Sequence, residues 1–137
     1  ALPIYLIYAA FKALLNPNLD NRLVRYVYEL KMLVINGEYP DFFACRVCGA
    51  KDNAAGFSIS HNGIVCDGCI RNIADAITLC GGTVYTLQYI VYSEIGRLFT
   101  FRVSDEVLEE LRMVMARCMN TYVDRRMNSL EILDALI

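Results

Sequence analysis

The sequence predicts a mainly α-helical fold: a helical bundle into which a four-cysteine zinc finger containing a short β-hairpin is inserted. Three observations carry this reading. Apolar residues recur every three to four positions over much of the chain. Two Cys-x-x-Cys pairs, Cys45/Cys48 and Cys66/Cys69, are separated by seventeen residues. Inside that gap His61-Asn62-Gly63 is flanked by short apolar stretches, the signature of a tight hairpin.

The first helix spans residues 4–15 and stops at Asn16-Pro17, because proline cannot continue it. Asp20 caps a second helix that runs to about Ile35 and ends at Gly37. Its apolar set Leu23, Val27, Leu30 and Val34 lies on one face. Tyr39-Pro40 turns the chain into the cysteine segment, an insertion over about 41–70, where Phe57–Ser60 and Ile64-Val65 form the hairpin. A helix is expected over Ile70–Leu79, broken by Gly81-Gly82, and another from Thr83 to about Ile95 with Val84, Leu87 and Val91 inward.

Ser104 followed by Asp105 and Glu106 starts a long helix, since the acids complement the positive end of its dipole. It runs to about Arg125, burying Leu108, Leu111, Met115, Cys118 and Tyr122. Asn128 with Glu131 resembles a capping box for a last short helix. The whole chain, 1–137, reads as a single domain of five or six helices with the metal-bearing excursion after the second.

The 137 residues are 56% hydrophobic and 20% charged, enough to fill a core and too apolar for disorder. Lys12 interrupts the apolar opening, and Gly81, Gly82 and Gln88 interrupt the uncharged run 76–93, so neither reads as a membrane span. The basic start and small-residue cleavage site of a signal peptide are missing. Ala1 in place of methionine suggests a piece of a longer protein. The formal charge is −2, and four thiolates on one Zn²⁺ would add about −2 more. Such a chain is a poor stand-alone binder of phosphate backbones, although local basic patches can contribute.

Tetrahedral zinc takes soft ligands from two chain segments, and each Cys-x-x-Cys turn supplies two. Cys45, Cys48, Cys66 and Cys69 are therefore the expected ligands of one structural Zn²⁺, with Gly49 closing the first turn. Disulfides and an iron–sulfur cluster suit this spacing less well, and the pattern points to a reducing cytoplasm. Four protein ligands leave no open position on the metal, which argues against metal catalysis.

Arg46, Lys51 and Arg71 lie near the cysteines, where they could meet phosphate or simply offset the tetrathiolate charge. His61 is expected as an exposed turn residue, and Cys80 and Cys118 as small core residues. Arg22, Arg25, Arg125 and Arg126 read as solvated or dipole-pairing charges. The nine tyrosines could stack bases, but their helical spacing reads first as packing. No histidine is seen beside a nucleophile, no phosphate-cradling loop occurs, and the expectation is a binding domain and not an enzyme.

Tyr28-Glu29-Leu30-Lys31-Met32-Leu33, then Asn36-Gly37-Glu38-Tyr39-Pro40, then Cys45-x-x-Cys48-Gly49 form a distinctive series. With Phe57-Ser58, Gly63, Cys66-x-x-Cys69 and the helices that follow, the chain resembles the C-terminal half of the bacterial recombination mediator family RecO. The resemblance implies a preceding OB-fold of about 80 residues, single-stranded DNA binding and annealing, and work in the bacterial cytoplasm at the nucleoid. It also implies partnership with RecR and with the acidic tail of single-strand-binding protein, helping RecA to load. Where many members carry Gly-Gly before the second cysteine pair, this chain has His61-Asn62-Gly63. Other members lack the cysteines, so zinc would serve folding here. The alternative without that resemblance is a zinc-ribbon adaptor of transcription or translation, using Phe57, His61 and Ile64 as its contact.

Overall fold

The computed structural model describes residues 1–136, with side chains through residue 123. Four helices, α1 (Leu2–Leu14), α2 (Asn21–Ile35), α3 (Gly81–Tyr92) and α4 (Asp105–Leu136), surround one core. A three-stranded antiparallel sheet of β1 (Ala54–Ser58), β2 (Gly63–Cys66) and β3 (Ile77–Thr78), ordered β2-β1-β3, stands between α2 and α3 in the chain.

Asp20 caps α2 as its sequence position predicts, accepting from the Arg22 amide at 2.8 Å. At the other end Gly37, with φ +78°, takes the left-handed conformation. The Gly37 and Glu38 amides return to the Val34 and Leu33 carbonyls at 3.0 and 3.1 Å, which satisfies two otherwise orphaned acceptors. Between these caps α2 buries Leu23, Val24, Val27, Leu30 and Leu33, while Val34 is only half-buried. α1 packs beside it through Ala10 and Ala13 against Val24, small residues that let the two backbones approach.

Leu6, Leu30, Leu87, Ile90, Leu98, Leu111 and Met115 meet at the centre, almost wholly buried. At roughly 1.5–3 kcal/mol each, such side chains are the main drive to fold. Lys31 is the exception in this core. Its ammonium donates to the carbonyls of Ile90, Val91 and Ser93 at 3.2, 3.0 and 2.6 Å, meeting the unpaired acceptors at the end of α3. Ser104 caps α4 through its hydroxyl on the Val107 amide, and Leu108, Leu111, Met115, Cys118 and Tyr122 are buried as their spacing predicts.

Three expectations are corrected. Residues 70–79 are not a helix: a 3-10 turn over Ile70–Asn72 follows the second cysteine pair, and Ile77 then pairs with Phe57 as β3. The Leu79 amide reaches the Ala55 carbonyl at 2.9 Å, so sheet pairing outcompetes a short helix. Gly81-Gly82 do not break the chain but open α3, because Glu110 of α4 accepts from the Cys80 amide and the Thr83 hydroxyl, both at 2.8 Å. Finally, no separate last helix begins at Asn128, since α4 continues to Leu136. The side chains of Arg125, Arg126, Asn128 and Glu131 lie outside the described residues.

Candidate metal centre and the groove beside it

The four sulfurs of Cys45, Cys48, Cys66 and Cys69 come together within 4.8 Å of one another. Cys48 and Cys66 approach to 3.6 Å, close to the edge of about 3.8 Å that a tetrahedral site with ~2.3 Å metal–sulfur bonds requires. All six cysteines are unpaired thiols. The donors therefore fit a tetrahedral metal ion.

Each half of the site is a tight turn. The Gly49 amide bonds the Cys45 carbonyl at 2.8 Å, and Gly49 turns at φ +79°, a conformation that costs a side-chain-bearing residue more. The Cys69 amide bonds the Cys66 carbonyl at 3.1 Å. β1 and β2 carry the second pair into place, and Val65, Ile70 and Ile73 pack around the sulfurs. Burial works to push the Cys45 thiol up, but amides of Cys48, Val47 and Cys66 aimed at its sulfur outweigh it and bring it down to about 6. Cys69 is pushed up to about 12, first by its hydrogen bond with Cys66 and then by burial.

The basic residues named beside the cysteines divide. Arg46 is committed within the module, its Nε donating to the His61 carbonyl at 3.0 Å and its guanidinium 3.8 Å from Asp41. Lys51 and Arg71 are exposed beside the two turns and join no ion pair among the described residues. His61 is exposed and stands outside the sulfur cluster. Cys118 is fully buried, with burial and then the charge of Glu29 pushing its thiol up to about 12. Cys80 is only half-buried, at the start of α3.

Away from the sulfurs, α1 and α2 enclose an apolar groove of about 410 Å³ lined by Ile7, Ala10, Phe11, Leu14, Val24 and Tyr28. Arg25 forms its rim, with its side chain 73% exposed and 3.6 Å from Glu29. Arg25 also borders a more polar cleft of about 320 Å³ between α2 and α4, where Arg112 and Asn120 lie. Sequence periodicity alone did not single out this groove, because α1 is apolar on nearly every side.

The family described as Recombination protein O C terminal matches residues 5–131. The chain belongs to the RecO C-terminal family. It is 32% identical to the DNA repair protein RecO of Acetivibrio thermocellus over 111 residues, 80% of this chain and 44% of that protein. It is 28% identical to RecO of Bacillus velezensis over 131 residues, 96% of this chain and 51% of that protein. RecO of Bacillus subtilis is 26% identical over 122 residues, 89% and 48% of the two chains. The chain thus spans about half the length of the curated relatives it matches. No solved structure matches it. No helix of the described residues is long and apolar enough to cross a membrane.

One arrangement of side chains is not legible in the sequence. Ser58 and Ser60 place their hydroxyls 2.9 and 3.1 Å from His61 Nδ1, so a histidine does lie beside a potential nucleophile. Both hydroxyls donate to Asp75 Oδ1, at 2.6 and 3.0 Å, and the Ser60 amide donates to Oδ2 at 2.9 Å. The serine protons are thereby spent on the carboxylate, and His61 Nδ1 is assigned as the donor toward the hydroxyls. A nucleophile–base pair needs the opposite arrangement, with the serine proton on the imidazole. Ser58 is also wholly buried. The cluster fastens the hairpin turn to the segment before β3.

Proposed function

We propose that this chain is the C-terminal half of a RecO-type recombination mediator. It is a non-catalytic domain folded around one structural Zn²⁺, and it docks the acidic, Phe-ended tail of single-strand-binding protein. In the parent protein it would act with RecR, and with a preceding OB-fold that binds single-stranded DNA, to help RecA load. Membership of the family and the relatives' common name as DNA repair proteins support the setting. The zinc assignment is supported by a donor set of four sulfurs at tetrahedral spacing. A closed site of that kind stabilises a fold and leaves no position for a substrate.

The observation that carries the docking is the α1–α2 groove, where an apolar trough would take a terminal aromatic side chain and Arg25 would meet carboxylates. The adaptor alternative loses support, because Phe57 and Ile64, which it would use as contacts, are 0% and 2% exposed.

Fluorescence anisotropy with a labelled tail peptide tests the reading. Saturable binding is expected in the micromolar range, lost when the terminal Phe is removed and weakened tenfold or more by Phe11→Ala or Arg25→Glu. Unchanged affinity in both variants would move the dock elsewhere.

A further inference from the structure

Helical spacing makes the α3 tyrosines look like packing residues, yet the two outer ones are open to solvent. Tyr85 and Tyr92 are 64% and 63% exposed, while Tyr26 and Tyr122 are buried as packing would require. Tyr85, Tyr89 and Tyr92 follow one another at i, i+4 and i+7, and so share one side of the helix. Tyr85 stacks on Tyr89 at 6.4 Å between ring centroids, and Tyr89 meets Tyr92 at 6.1 Å. Tyr89 is held in place from behind. Phe101 packs edge-on to it at 5.3 Å, and the Tyr89 hydroxyl donates to the Arg97 carbonyl at 3.3 Å.

We propose that Tyr85, Tyr89 and Tyr92 form a stacking ladder for the bases of single-stranded DNA, with Arg97 and Arg102 taking the phosphates. A base offers a flat apolar face, and an exposed ring held rigid loses little entropy on stacking. Between residues 81 and 103 the only charged side chains are Glu94, Arg97 and Arg102, a local balance of +1 (two arginines less one glutamate) in a chain of −2. Arg97 and Arg102 are exposed and enter no ion pair among the described residues. The ladder is a different surface from the α1–α2 groove. Its choice of DNA as occupant rests on the recombination-mediator reading above.

The test is a titration of the zinc-loaded chain against labelled oligothymidylate at low salt, with the acidic tail peptide titrated in parallel. The double variant Tyr85→Ala/Tyr92→Ala is expected to weaken DNA binding tenfold or more, while Tyr85→Phe/Tyr92→Phe stays within about twofold, because phenylalanine keeps the stacking face. The chain has no tryptophan, so its tyrosine emission should be quenched by DNA in the wild type and much less in the alanine variant. Arg97→Gln/Arg102→Gln should flatten the salt dependence.

Equal DNA affinity in the wild type and the alanine variant would overturn the ladder, and so would equal losses in the alanine and phenylalanine variants. Absence of DNA binding with intact peptide binding would overturn the ladder and leave the mediator reading standing. Absence of both would overturn the two together.

Discussion

The Tyr122 hydroxyl on α4 donates to Oδ1 of Asn62, sixty residues earlier at the tip of the hairpin. Asn62 sits at φ +60°, a backbone setting asparagine tolerates better than most residues, and its carbonyl accepts from the Asp41 amide at 3.0 Å. The turn between β1 and β2 is therefore pinned from both sides, by the chain entering the metal module and by the longest helix. Tyr122→Phe should remove the α4 pin and leave Asn62 Oδ1 short of a donor. A loss of about 1–2 kcal/mol in denaturant unfolding is expected, with metal content unchanged. A drop in metal content would mean that the helix holds the sulfurs and not only the turn.

Removing sulfur ligands should act in the opposite place. Cys45→Ser/Cys66→Ser is expected to take bound metal from one ion per chain to none and to destabilise the module by several kcal/mol. Most far-ultraviolet helical signal should persist, because the helical core around Leu30, Leu87 and Leu111 does not involve the sulfurs. Cobalt substitution of the wild type should give a four-sulfur tetrahedral spectrum. One metal per chain in the double variant, or a spectrum with bound water, would refute the ligand set.

Two glycines separate strain from collision. A methyl group at Gly37 meets nothing within 4 Å, so Gly37→Ala carries only the cost of φ +78°, about 1 kcal/mol. A methyl group at Gly63 would run into the Asp41 carbonyl and the Arg46 side chain, and that carbonyl already accepts from Ile64. Gly63→Ala should cost more, about 1–3 kcal/mol, and lower metal affinity as well. Comparable losses in the two variants would show that the Asp41 segment can yield.

Much of this could be read from the sequence, and the misses share a cause. The caps at Asp20 and Ser104, the left-handed Gly37 and the cysteine knuckles are local, fixed by residues within a few positions of one another. β3 is not legible locally, because Ile77-Thr78 becomes a strand only when Phe57 supplies its partner. Gly81-Gly82 misled because the group that caps them, Glu110, is some thirty residues away. Exposure misled most. Tyr85, Tyr89 and Tyr92 have the spacing of a buried stripe, and only the opposite face of α3, with Val84, Leu87 and Val91, meets the core.

Acid should leave the Asp75 contacts intact over a wide range. Burial opposes the charge on this carboxyl, but the Ser58 hydroxyl and the Ser60 amide and hydroxyl outweigh it, so its pKa falls below the ordinary 3.8. With the folded value depressed, the stability it contributes is fully present above 3.8 and is lost only as pH falls through the lower, folded value. The stability difference between the wild type and Asp75→Asn should therefore stay flat from pH 8 down to about 5. A decline between pH 7 and 5 would show that burial wins and the folded carboxyl titrates above its ordinary range.

The ammonium of Lys31 has a consequence beyond the three carbonyls it serves. An oily helix pair can slide or rotate by a turn and still bury much the same area, so apolar contact discriminates weakly among near-correct assemblies of α2 and α3. A cation in that interface changes the comparison. A setting of α3 that carried the Ile90, Val91 and Ser93 carbonyls away would leave the ammonium short of its acceptors, which is costly for a buried charge. Lys31 thus works as a proofreader of assembly, adding little to the finished fold and penalising the miscast ones.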